Sequence, residues 1–245
     1  MSDNDNRVCF IFTADVSPLE NEALFKRYYD MMSPGRREKV DKLIPEKSKR
    51  LSLAAGIIYE RAKNQLNLND DDLSSVEDTE RTASFYYNLS HSGTRAMCAV
   101  ADIRVGCDVE QIKVDDSFQN RKLTISDRFF TEDEAKRIKT ALSTDGKMSE
   151  DERSAVAREF YKYWTLKESV LKVTGYGLAM PLDSFDVDAD AEPPRLRAVG
   201  DWCDTHGIAP EKYSLCIPLM DEDYAYGLCL YSPERYSLRI REIIL

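Results

Sequence analysis

Apolar and polar positions along this chain switch between a period of two and a period near 3.6, and the switches mark its elements. Residues 7–16 (RVCFIFTADV) form an almost unbroken apolar run rich in β-formers, which predicts a strand buried on both faces. Ser17-Pro18-Leu19-Glu20 has a helix-start order, with Ser at the cap, Pro at the first position and Glu at the third. It predicts a helix over 18–32 that packs Leu19, Ala23, Tyr28 and Met31. Ser33-Pro34 repeats the signal for a second helix, GRREKVDKLI, which Pro45 stops. A third helix is expected over 46–66, with Leu53, Ala54, Ile57, Ile58 and Ala62 as its core stripe.

Residues 67–82 are acidic and polar, a loop with a short helical turn. A strand is predicted over 85–89, with NLSHSG at 88–93 as the turn that leaves it, rich in hydroxyl and amide donors. Residues 94–101 and 104–110 read as a hairpin across Asp102-Ile103, and 111–127 as a connection. Thr131-Glu132-Asp133-Glu134 has capping-box spacing behind the lead-in Arg128-Phe129-Phe130. Residues 143–159 are polar and predict a mobile loop before a buried helix. After Pro181 the pattern turns β-rich at 184–188, 196–201, 213–219 and 224–231, and YSLRIREIIL closes the chain as an edge strand or docked segment. Strands and helices mix without strict alternation, so the expected fold class is α+β.

Two stretches bear charge where burial is expected. In FYKYWTLKESVLK (160–172), Trp164, Glu168 and Lys172 recur every four residues and share one helix face. Aromatic and aliphatic neighbours bury that helix, so Lys167, Glu168 and Lys172 must be paired or face a cleft. Gly175 and Gly177 end it. In VGCDVE (105–110), Asp108 and Glu110 project from one face of a strand, roughly 7 Å apart. Three carboxylates, Asp108, Glu110 and Glu168, could hold Mg²⁺, a hard ion that prefers oxygen ligands. Each pattern alone more often marks a solvated surface; their co-occurrence is what gives them weight.

The chain has 245 residues, 42% of them hydrophobic, enough for one large domain or two small ones. No apolar run approaches the ~18–20 residues of a membrane span, and MSDNDNR has neither basic flank nor apolar core, so a cytoplasmic protein with no membrane partner is expected. Its six cysteines stand singly, without Cys-x-x-Cys spacing, which fits buried thiols in a reducing compartment. A net charge of −10 argues against a nucleic-acid partner. Yet residues 26–63 hold eleven Lys/Arg against five Asp/Glu, a local site for an anion or a solvated helical face.

GCDVE and WTLKESVLK together resemble the signature of the 4′-phosphopantetheinyl transferases, a small residue before Asp-x-Glu followed by aromatic-x-x-Lys-Glu-Ser-x-x-Lys. GYGLAMPLDSFDV and NLSHSG are similar to segments of the surfactin-synthetase-activator (Sfp-type) branch, and the likeness runs from about Val8 to Tyr231. The resemblance implies two similar halves related by a pseudo-twofold with the site in the cleft between them. Residues 1–103 would form the first half and 104–231 the transferase half with the metal site, followed by a tail at 232–245. The smaller holo-acyl-carrier-protein-synthase branch is half this length, so a two-half monomer is expected.

The implied reaction moves the 4′-phosphopantetheine of coenzyme A to a serine of an apo acyl- or peptidyl-carrier protein and releases 3′,5′-ADP. Asp108, Glu110 and Glu168 would hold Mg²⁺, with Mn²⁺ as an alternative. Glu168, directly or through a water it orients, would accept the serine proton, and Lys172 would stabilise phosphoryl charge. Arg36, Lys39, Arg50 and Arg61 match the basic coenzyme A positions, and Ser90 and His91 would contact phosphate. Relatives commonly carry a Gly-Lys-Pro before the Asn-x-Ser-His-Ser stretch; this chain has EDTERTASF, which leaves Arg81 as the substitute cation. The alternatives are a Mg²⁺-dependent phosphohydrolase or nucleotidyl transferase, and a non-catalytic coenzyme A-binding protein.

Overall fold

The computed structural model describes residues 7–75, 83–114, 116–140 and 149–245, with the backbone alone for 116–120. In chain order the elements are β1 (Val8–Asp15), α1 (Glu22–Met31), α2 (Pro34–Asp41), α3 (Glu46–Leu66), β2 (Leu73–Ser75), β3 (Phe85–Ser92), β4 (Arg95–Ala101) and β5 (Val105–Gln111). There follow α4 (Asp116–Phe129), α5 (Glu132–Lys139), α6 (Glu150–Thr174), β6 (Phe185–Asp188), β7 (Arg195–Ala198), α7 (Trp202–Thr205), β8 (Ser214–Cys216), β9 (Tyr224–Leu230) and β10 (Ser237–Glu242). The fold is mixed α+β. Among the described residues no helix is long and apolar enough to cross a membrane.

Four layers follow from which faces are apolar. One sheet has the order β10-β1-β4-β3-β2 and a second the order β5-β9-β8, with β6 and β7 as a separate pair. Between the two sheets lies a core of Cys9, Ile11, Met97, Ala99, Val105, Cys107, Val109, Tyr226 and Leu228. Phe12, Ala14 and Cys98, on the other face of the first sheet, pack against Leu53, Ala54, Ile57 and Ile58 of α3. β1 is thus buried on both faces, as its continuous apolar run predicts. The outer face of the second sheet is covered by α6, whose Tyr163, Leu166 and Val170 join Ile138 and Phe185 in a third cluster.

α6 lies almost directly on strand backbone. A Cβ on Gly106 would come within 2.1 Å of the Ser169 carbonyl, and one on Gly227 of β9, the partner of Asp108, within 2.3 Å of the Thr165 carbonyl. The small residue before Asp108 therefore sets the distance between this strand and the helix.

Several expectations need correction. The signal at Ser17 starts a short 3-10 turn; α1 begins later, with Asn21 as its cap accepting from Leu24 N, because the Ser17 hydroxyl is spent on Asp15. On α1 it is Leu24, Phe25, Tyr28 and Tyr29 that pack inward, while Ala23 and Met31 are exposed. Residues 88–92 (NLSHS) are not a turn but the second half of β3; of the expected turn only Gly93 lies in it, as Gly93-Thr94, and β3 pairs with β4. The expected 94–110 hairpin does not form, since β4 pairs with β1 and β3, and β5 with β9. Residues 116–129 are helix rather than plain connection. The polar stretch before 160 is already helical from Glu150, where Ser149 and Glu152 make a capping box. Residues 143–148 of the loop expected over 143–159, residues 76–82 of the one expected over 67–82, and Arg81 with them, lie outside the described residues. β10 answers the question of the tail: it runs parallel to β1 at the edge of the first sheet.

Candidate active site

β3 and β5 belong to different sheets, yet side chains bridge them. Asn88 Oδ1 accepts from Cys107 N at 2.9 Å, Ser90 Oγ from Val109 N at 3.3 Å, and Ser92 Oγ from Gln111 N at 3.2 Å. Alternate residues of β3 thus satisfy alternate N–H groups of β5, whose other edge is paired with β9. Two teeth of this comb also reach the carboxylates: Ser90 Oγ donates to Asp108 Oδ1 at 2.7 Å and Ser92 Oγ to Glu110 Oε2 at 2.6 Å.

From the opposite side α6 brings Lys172, whose Nζ donates to Asp108 Oδ1 at 2.7 Å and to the Cys107 carbonyl at 2.9 Å. Burial alone would lower the Lys172 ammonium; the Asp108 charge, with Cys107 and Glu168, outweighs it and holds it above its ordinary value. Asp108 Oδ2 is buried and has no hydrogen-bond partner. Glu168 sits one turn before Lys172, half-buried, its carboxyl pushed up to about 7 by burial and then by Asp108, with a smaller push from Glu110 and Lys172 opposing. Burial chiefly raises Glu110 too, with Asp108 adding and Ser92 opposing. Among the described residues no three His, Cys, Asp or Glu side chains are arranged to hold a metal ion. Here Lys172 is the cation that engages Asp108. The donor set nonetheless fits a hard divalent ion. An orphaned carboxylate oxygen and two carboxyls raised by burial and by a neighbouring negative charge form a site short of positive charge.

Ser90, Asp108, Glu110 and Lys172 line the end of a groove, whose wall does not include Glu168. Arg36, Ser52, Ala55, Leu89, His91 and Lys172 join Asp108 and Glu110 around a cavity of about 350 Å³. Arg36 is shared with a neighbouring cavity that holds Lys39, and Met32, Ser33 and Glu60 are shared between that one and a third of about 510 Å³ that holds Arg61. Gly56 leaves room for the Arg36 side chain, since a Cβ there would fall 2.9 Å from Arg36 Cδ. Arg36, Lys39 and Arg61 therefore line three adjacent cavities that share wall residues, the innermost of which ends at Asp108. Arg50 does not join them: it lines a separate cavity with Gly93 and Thr94 and lies 3.7 Å from Glu20. His91 is exposed on the groove side, and burial, Lys172 and Arg36 hold its imidazole below the ordinary value despite opposing contributions.

Two features escaped the sequence reading. Ser92 holds Glu110, and the signal for it was the period-two Asn-x-Ser-x-Ser itself, which a turn does not require. Glu134 and Lys167 turn out to be a fully buried ion pair, 2.9 Å apart. Lys167 also donates to the Leu182 and Phe185 carbonyls, while Glu134 completes the expected capping box with Thr131 and accepts from Val187 N. They brace α5, α6 and β6 away from the groove.

A family model described as the 4′-phosphopantetheinyl transferase superfamily matches residues 104–229, which contain β5, α6 and β9. The 4′-phosphopantetheinyl transferase Sfp of Bacillus subtilis is 30% identical over 179 residues, 70% of this chain and 71% of that protein. The transferase psf-1 of Bacillus pumilus is 38% identical over 102 residues, 42% of this chain and 37% of its own. HetI of Nostoc is 29% identical over 118 residues, 47% of this chain and 44% of its own. The last two matches thus span less than half of those relatives. With the Asp-x-Glu strand and the Lys-Glu-Ser helix meeting across Gly106, and with these matches, the chain belongs to the 4′-phosphopantetheinyl transferase superfamily, a family of enzymes.

Proposed function

We propose that this protein transfers the 4′-phosphopantetheine group of coenzyme A to a serine of an apo acyl- or peptidyl-carrier protein and releases 3′,5′-ADP. The observation that carries the reading is the end of the groove: Lys172 on one oxygen of Asp108, the other oxygen buried without a partner, and Glu168 pushed up to about 7 beside it. Such a site is built for an anionic ligand that arrives with a cation.

Arg36, Lys39 and Arg61 draw the phosphates of coenzyme A into the groove, and His91 contacts phosphate at its inner end. Ser90 borders the same cavity, and Arg50 serves at most from outside it. Asp108, Glu110 and Glu168 would hold Mg²⁺, or Mn²⁺, which when bound neutralises pyrophosphate charge. Glu168, with a carboxyl poised near neutrality, accepts the proton of the carrier serine as its oxygen attacks the phosphorus that bears the pantetheine. Lys172 donates to the phosphoryl oxygens as charge moves onto the leaving 3′,5′-ADP. A basic groove on an acidic chain fits the selective capture of one anion rather than broad attraction.

The layer order supports two similar halves, residues 1–103 and 104–231, with α3 on one sheet and α6 on the other. A pseudo-twofold between them, a monomeric state and a cytoplasmic location belong to this proposal. The test is incubation with coenzyme A, Mg²⁺ and a panel of apo-carrier proteins, read by carrier mass. A gain of one phosphopantetheine is expected from the wild type, and none from folded Asp108→Ala or Glu168→Ala. Undiminished transfer by either variant, or hydrolysis of coenzyme A without any carrier modified, overturns the reading.

A further inference from the structure

Ser92 lies outside the groups so far given a chemical role, yet its hydroxyl is fully committed. It has one proton, donated to Glu110 Oε2 at 2.6 Å, and it accepts from Gln111 N at 3.2 Å, which fixes where that proton points. Ser90 repeats the arrangement one period earlier, donating to Asp108 Oδ1 and accepting from Val109 N. We infer that Ser92 and Ser90 are positioning residues, each pinning one oxygen of a cation-binding carboxylate so that the other faces the cation.

The inference rests on the proposed divalent-ion role of Asp108 and Glu110. Two carboxylates on one strand face repel each other, and an unrestrained Glu110 has three torsions by which to swing away. A charge-assisted O–H···O bond from the short, part-buried Ser92 side chain holds it. A hydroxyl whose only proton is spent on a carboxylate cannot also donate it to a phosphate oxygen, so Ser90 acts on the metal side of the site. Asn88 supplies the control: it is a tooth of the same comb, bonding Cys107 N, but touches neither carboxylate.

The experiment titrates Mn²⁺ alone into the full chain and follows free Mn²⁺ by electron paramagnetic resonance. Ser92→Ala is expected to weaken binding about tenfold or more, as loss of a group that orients a metal ligand does. Ser92→Thr, which keeps the hydroxyl, is expected to restore it, and Asn88→Ala to lower thermal stability with Mn²⁺ affinity unchanged. Should Ser92→Ala not fold, Ser92→Cys, a weak donor of similar size, is expected to show the same loss. A Ser92→Ala variant that binds as tightly as wild type, an equal loss in Asn88→Ala, or a wild type with no Mn²⁺ site sensitive to Asp108→Ala overturns the inference. The proposed transfer fails separately: the stated Mn²⁺ pattern with no carrier modified leaves Ser92 positioning Glu110 and removes only the phosphopantetheine reaction.

Discussion

α6 carries two lysine–carboxylate pairs five residues apart, and they could hardly be treated more differently. Lys167 and Glu134 are sealed from solvent with every partner supplied: two carbonyls for the ammonium, two backbone N–H groups for the carboxylate. Lys172 and Asp108 sit at the groove with one carboxylate oxygen unanswered. Burial lowers the Lys167 ammonium and raises the Glu134 carboxyl despite their mutual attraction, whereas Lys172 is raised because Asp108 outweighs its burial. The first pair is complete and braces three elements; the second is left incomplete, which is what a ligand needs.

The largest effect expected from this contrast is on stability. Glu134→Ala strands a buried ammonium and should cost about 3–5 kcal/mol in chemical denaturation, whereas Asp108→Ala, which leaves a part-exposed Lys172 with a carbonyl partner, should cost about 1 kcal/mol or less. Equal losses would erase the distinction between brace and site. Next comes Gly106→Ala, whose methyl would press on the Ser169 carbonyl and lift α6 from β5. About 1–3 kcal/mol should be lost, as in other overpacked cores. Carrier modification should fall more than stability does, because Lys172 and Glu168 move while the Lys167 pair, on another face of the helix, does not. Full activity in a destabilised Gly106→Ala would break that link.

The smallest effect is a pH dependence. The folded Glu168 carboxyl titrates at about 7 rather than the ordinary 4.5. Between those values the unfolded chain has released the proton that the folded one retains, so raising the pH through this window lowers the stability of the metal-free protein. Thermal midpoints at pH 5 and pH 8 in chelator should show that fall in wild type and a reduced fall in Glu168→Gln. Parallel pH curves for the two would mean that Glu168 is not held in a charge-poor site.

What could be read in the sequence follows which signals are local. α3 begins right after Pro45 and ends at Leu66, where the polar run starts, and the Thr131 box forms as spelled, because caps and breakers act within one turn. The pairing of Asp108 with α6 was legible through alternation and the i, i+4 stripe. NLSHSG misled because its polar residues face another strand's edge rather than water, so polarity looked like a turn. α4, DSFQNRKLTISDRF, is poor in strong helix formers and gains its helix from packing on α5 and α6, which no window of sequence displays. Residues 150–159 are charged, and their helix is opened by a capping box of Ser149 and Glu152, a local signal that sits within a run whose acidity resembles a loop.

The order in which the sheets close has a consequence for synthesis. β10 follows every other described strand in the chain, and it lies parallel against β1, which precedes them. Until residues 237–242 leave the ribosome, the nascent first half presents β1 as an open, strongly apolar edge, a template for wrong strand pairing. A stall or cut before Ser237 would therefore leave four of the five strands, β1-β4-β3-β2, with the β1 edge exposed and prone to aggregate.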